Sequence, residues 1–233
     1  MTFCFTIKAV AFEWQQPVKG LYYTQLRVGS PNQESVFEVF RVDLKKWTIK
    51  PLRATTRKTA KQFLEEQGAL VVINANFFDD KFQPLGLVQE GGRILNPFKN
   101  ITWWSVFCLK NKKPSIVHSS QAKGLSCDVA VQAGPRLVVD GKIPQLQTDL
   151  SRRTALGINR KQEVLLVVSH DFISTAELAQ IFAKPEAAGG LDCPNALNLD
   201  GGSSSQMAAA AGSVHVDSSG MVGVPVGLGV WAP

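Results

Sequence analysis

Runs of β-branched and aromatic residues, broken by Gly, Pro, Asn and Asp, recur at short spacing along this chain of 233 residues. The pattern predicts strands over residues 36–42, 47–52, 70–74, 103–109, 115–118, 129–133, 137–140, 154–159, 164–169 and 196–199. Residues 84–93 read as strand, hairpin turn and strand, with Glu90 at the end of the first. Two segments carry a helical period instead. In residues 58–67, Ala60, Phe63 and Leu64 share one face and Gly68 supplies the stop. In residues 174–184, Ser174 and Glu177 form a capping box, Leu178, Ile181 and Phe182 make the apolar stripe, and Pro185 ends it. Strands adjoin strands more often than they alternate with helices. The expected class is therefore α+β, a sheet-dominated single domain with mixed or antiparallel sheet and a few flanking helices, rather than a Rossmann fold or barrel.

Composition adds limits. With 45% apolar and 19% charged residues the chain is globular and long enough to bury a core without staples. The net charge of +6 is uneven: residues 1–120 hold 17 basic and 9 acidic side chains, residues 121–233 hold 8 and 10. Such asymmetry suits a nucleic-acid or anionic-glycan surface, or a merely solvated face. The basic residues are dispersed and no helix-turn-helix, RNP or zinc-finger pattern is present, so nucleic acid is not an expected partner. No stretch reaches the ~18 apolar residues of a membrane span, so no integral membrane segment is expected. Residues 1–11 end in Ala9-Val10-Ala11 and admit two readings. They are the remnant of a truncated signal peptide, which implies export to the periplasm or beyond, or the first strand of a cytoplasmic protein. The domain proper then spans residues 12–233. Cys4, Cys108, Cys127 and Cys193 lack zinc-type spacing; Cys108 and Cys127 flank a hairpin and suit a disulfide, with buried thiols as the alternative. Oligomeric state is left open.

Candidate chemistry gathers in four places. The segment Asn195–Met207 delivers Asn198 and Asp200 at i, i+2, followed by the Gly201-Gly202 turn and the hydroxyls of Ser203, Ser204 and Ser205. That order suits a phosphate or polarised sugar oxygen beside a carboxylate, although Asp-Gly also closes ordinary hairpins. A buried strand ends in Asn74-Ala75-Asn76-Phe77-Phe78-Asp79-Asp80, where amides orient hydroxyls and aromatic faces pack sugar rings; alternatively Phe77 and Phe78 are core. Arg152-Arg153-Thr154 opens a strand at which a guanidinium fork suits phosphate. Gln132-Ala133-Gly134-Pro135-Arg136 turns between two strands. Of the three histidines only His170, before Asp171 at a strand end, has a setting typical of sites. No G-x-S-x-G, P-loop or HExxH is present.

Taken in order, INANFF, PLGLVQEGGRI, VQAGPRLVVDGKI, RRTALGI, TAELAQIF, ALNLDGGSSSQM and VPVGLGV resemble the phosphodiester glycosidase family over about residues 70–231. The resemblance implies hydrolysis of a sugar joined through its anomeric carbon to a phosphodiester, by an exported or lumenal enzyme. It matches Asp200, Gly201 and Gly202 to the family's DGG, and Arg153 and Thr154 to its RTA. It also matches Asn74, Phe77 and Phe78 to the strand-end motif, and Gly86 and Gly134 to two turns. Ser203 stands where animal-type members have a third glycine, and His170-Asp171 where the family carries Asp-Gly. On this reading Asp200 is base or nucleophile, Glu90 the second carboxyl and Arg153 the phosphate ligand. Asn74, Phe78, Gly134, Thr154, His170, Asn198, Gly201, Gly202 and Ser203 bind substrate. No cofactor is implied, a divalent metal is left open, and the partner is a small molecule or glycan bearing a phosphodiester. The rival readings are a non-catalytic phosphoglycan-binding module and an exopolysaccharide-related assembly factor.

Overall fold

A computed structural model describes residues 12–30 and 33–232. Chain order runs β1 (Gln15–Val18), β2 (Leu21–Ser30), β3 (Gln33–Val42), β4 (Thr48–Lys58), α1 (Ala60–Gln67) and β5 (Val71–Asn74). Two hairpins follow: β6 (Val88–Glu90) with β7 (Arg93–Asn96), and β8 (Ser105–Lys110) with β9 (Lys113–His118). Then come α2 (Ser119–Ala122), β10 (Val129–Ala133), β11 (Arg136–Val138), β12 (Thr154–Ile158), β13 (Val164–Ser169) and α3 (Thr175–Ala183). The remaining strands are β14 (Asn195–Asn198), β15 (Met207–Ala211), β16 (Val214–Ser218) and β17 (Val224–Trp231).

These strands form three sheets, in the orders β1-β2-β3-β13-β12-β14-β11, β7-β6-β10-β8-β9 and β16-β15-β5-β17-β4. Every pairing is antiparallel. The fold is thus α+β, dominated by antiparallel sheet with a few flanking helices. Alternation along the strands decides which side chains meet. Phe40, Leu156 and Leu166 of the first sheet, Phe107 and Val131 of the second, and Ile73 and Leu228 of the third all point into one shared core. The outer faces are covered separately. Leu178, Ile181 and Phe182 of α3 pack on Leu165 and Val167, and Phe63 of α1 packs on Val72 and Ala208. Because both faces of β13 are covered, all six of its residues are buried.

Both expected helices form. α1 starts two residues later than the periodicity suggests, because β4 runs on to Lys58 and Thr59 makes the capping box with Gln62. Cys108 and Cys127 form a disulfide on the outer face of the second sheet, while Cys193 is a buried thiol. The reading of residues 1–11 lies outside the described residues.

Candidate active site

The site is built where strands from two sheets end side by side. Asn74 closes β5, and the chain then leaves the sheet so that the Ala75 carbonyl accepts from Asp200 N at 2.9 Å. Asn74 is enclosed: Nδ2 donates to the Asp200 carbonyl at 2.6 Å, while Oδ1 accepts from the Thr154 hydroxyl at 2.7 Å and from Gln206 N at 3.1 Å. One amide therefore joins segments 80 to 132 positions away. Thr154, also fully buried, spends its hydroxyl in this clamp.

Beyond β14 the chain turns at Asp200. The Gly202 N–H is donated to the Arg152 carbonyl at 2.7 Å, and a 3-10 turn follows over Gly202–Ser204. Tight space and backbone shape favour glycine at both positions. A Cβ at Gly201 would sit 3.0 Å from the Arg152 carbonyl oxygen, and Gly202 has φ +61. The Gly201 N–H and the Ser204 hydroxyl donate to the Asp200 carboxylate and oppose its burial; burial prevails and lifts the carboxyl from 3.8 to about 6. No neighbouring charge contributes. The Gly202 amide of the turn is thus committed to the Arg152 carbonyl. Ser203 is exposed at the mouth. Ser204 is the contact that the residue pattern did not single out, although it lies in the noted hydroxyl run.

Arg152 and Arg153, just ahead of β12, reach different partners. Arg152 reaches Ser218 Oγ and the carbonyls of Ser169 and Ser219. The Arg153 side chain passes within 3.9 Å of the Cβ position at Gly201. It donates through Nε to the Ile173 carbonyl and through Nη2 to both the carbonyl and the carboxylate of Asp149. Among the described residues its Nη1 has no partner and is not buried.

Asn198 Nδ2 donates to the Gly134 carbonyl at 3.0 Å, and Asn198 Oδ1 is buried without a partner among the described residues. Gly134 is closed in by Trp104, whose Cδ1 would lie 2.8 Å from a Cβ there. Arg136, next along, makes no ion pair or side-chain hydrogen bond with the described residues and is part-exposed.

Asp200, Asn74, Thr154 and Gly202 are thus tied together through hydrogen bonds, with Gly201 in the same turn and Asn198 and Gly134 beside it, while the Arg153 side chain is spent on Ile173 and Asp149. Three expected residues lie apart. Glu90 ends β6 opposite Val129, at the far end of β10 from Ala133, and lines a cavity with Lys50, Arg53, Arg93 and Trp231. His170 Nε2 pairs at 2.7 Å with Glu38, which also accepts from Tyr23 and Gln25. Phe78 bridges to Pro84 and packs edge-on against Phe82, within an apolar cluster under α1. Among the described residues no three His, Cys, Asp or Glu side chains come together to hold a metal ion. No helix among them is long and apolar enough to cross a membrane.

A family model for phosphodiester glycosidases matches residues 67–231, and the chain belongs to that family. No curated protein sequence matches it. Among solved structures it is similar to a hypothetical protein of Synechocystis, with TM-score 0.65 and 17% identity over 97% of this chain; the chain spans 64% of that protein's length. It is also similar to the catalytic domain of zebrafish N-acetylglucosamine-1-phosphodiester alpha-N-acetylglucosaminidase, auto-inhibited by its pro-peptide. There the TM-score is 0.70 and the identity 14%, over 96% of this chain and 89% of that one. A Burkholderia pseudomallei protein described as exported gives TM-score 0.59 and 12% identity, over 86% and 74%.

Proposed function

We propose that this protein hydrolyses a sugar-1-phosphodiester at the glycosyl C–O bond, with Asp200 as the reacting carboxylate. The observation that carries the reading is a largely buried carboxyl lifted to about 6 and fixed on a turn that its neighbours hold rigidly. A carboxyl of that pKa is mostly ionised at neutral pH yet basic enough to take a proton. Most glycosidases use two carboxyls, one to protonate the leaving oxygen. A phosphate monoester departs without that help, because its conjugate acid is already strong. One carboxylate then suffices. Asp200 takes a proton from water, the water oxygen bonds to the anomeric carbon, and the C–O bond breaks with its electron pair going to the phosphate. Arg153 Nη1 and the unpaired Arg136 are the guanidinium groups available to balance that charge. The Cys108–Cys127 disulfide supports an oxidising, exported setting.

Hydrolysis of N-acetylglucosamine-1-phosphodiesters in labelled water tests the reading, with label expected in the sugar and not in the phosphate. Label in the phosphate refutes C–O cleavage. Binding without turnover assigns the site to a phosphoglycan-binding module instead.

A further inference from the structure

A cavity lies near the other end of β5. Asn74 pairs with Gly227 at one end of that strand, and Val71 pairs with Val230 at the other, about 10 Å away at strand spacing. Next to Val230, Trp231 opens onto a cavity of about 620 Å³ between the sheet edges β4 and β7, within the usual size range of small-ligand sites. Lys50, Arg53, Arg93 and Glu90 share its lining. Among the described residues none of the four takes part in an ion pair. Three cations and one carboxylate thus line one concave space without a contact ion pair, a net positive lining that favours an incoming anion.

Two features go beyond charge. Trp231 is fixed in orientation, its Nε1 donating to the Gln67 carbonyl at 3.1 Å, with Lys50 Nζ 5.8 Å from its ring centroid. Arg53 is likewise set, donating to the Leu95 carbonyl across the gap between the two edges. A held indole beside cations presents a flat apolar face to a ring whose substituents are charged. Glu90, half-buried at the end of its strand, accepts hydroxyls but repels a continuous phosphate backbone.

We propose that this cavity binds an acidic oligosaccharide, with a sugar ring against Trp231, its acidic groups on Lys50, Arg53 and Arg93, and its hydroxyls on Glu90. The basic excess of the first half of the sequence then has a ligand. The site is independent of the chemistry assigned to Asp200.

Isothermal titration of the full chain with tetragalacturonate, cellotetraose and tripolyphosphate tests it. Tetragalacturonate is expected to bind one-to-one and more tightly than either control. Arg93→Gln, on an exposed hairpin, should weaken it tenfold or more, and Asp200→Asn should leave it unchanged. The Trp231 indole N–H resonance should shift with tetragalacturonate and not with tripolyphosphate. Glu90→Gln should strengthen tripolyphosphate by removing the one negative charge of the lining. The proposal is overturned if tetragalacturonate does not bind, if Arg93→Gln has no effect, if Asp200→Asn abolishes binding, or if tripolyphosphate binds as tightly.

Discussion

Replacing Asp200 by Asn separates chemistry from stability at one position. Burial lifts the carboxyl from 3.8 to about 6, so between those values the folded chain holds more protons than the unfolded one. Stability then falls as pH rises through that window. Above about pH 6 the ionised group costs about 3 kcal/mol, at about 1.4 kcal/mol per pH unit; below about pH 4 both states are protonated and the cost vanishes. An amide carries no charge at either pH. Oδ1 of the new Asn can still accept from the Gly201 N–H, and loss of one carboxylate hydrogen bond offsets about 1 kcal/mol of the gain. Asp200→Asn should therefore gain about 2 kcal/mol or more between pH 4 and pH 8, relative to the parent, in urea unfolding at the two pH values. Its turnover on a sugar phosphodiester should fall at least about a hundredfold. Parallel stability-against-pH curves for the two chains would refute the buried-charge argument, and undiminished turnover would refute the role given to Asp200.

The same carboxyl sets a pH profile: kcat/KM should rise through an acidic limb near pH 6, and a flat profile between pH 5 and 7 counts against Asp200 as base. Asn74→Ala removes the partner of the Asp200 carbonyl, the Thr154 hydroxyl and Gln206 N at once, all enclosed, and should cost about 3 kcal/mol or more in thermal or chemical unfolding. A loss below about 1 kcal/mol would show that the clamp is dispensable. Reducing the Cys108–Cys127 bond opens a loop with a sequence separation of 19 and should cost about 3 kcal/mol, read as a lower urea midpoint under dithiothreitol. An unchanged midpoint argues against the chain-entropy account.

The sequence was most legible where local chemistry and burial agree. The capping box of Ser174 with Glu177 marks its helix start within a residue, because both partners are neighbours in sequence; that of Thr59 with Gln62 went unread, and the first helix was expected two residues early. β15 was missed because Met207–Ala211 is rich in alanine, a helix former; its strand state comes from pairing with β5 and β16, which local propensity does not record. β2 was missed because Gln25 and Arg27 interrupt its apolar residues, although they are the outward half of an alternating strand. For the candidate site, the order of DGG, RTA and Asn74 pointed to segments that the fold brings together. It did not tell which end of its strand each residue occupies in space. Glu90 ends a strand as expected, and that end lines the cavity beside Trp231. Glu38 reads as an ordinary polar position in β3, and only the pairing of β3 with β13 brings it to His170.

The place of β17 has a consequence for the order of assembly. It is the last described strand, yet it sits inside its sheet, paired with β4 on one side and β5 on the other. Until residues 224–231 emerge during synthesis, β4 and β5 have no strand between them, and their facing edges are open to pairing with another chain. Asn74 likewise waits for Thr154, Asp200 and Gln206. No early subdomain can carry a finished site, and with closure depending on such distant pairings the protein should fold slowly and need protection while nascent.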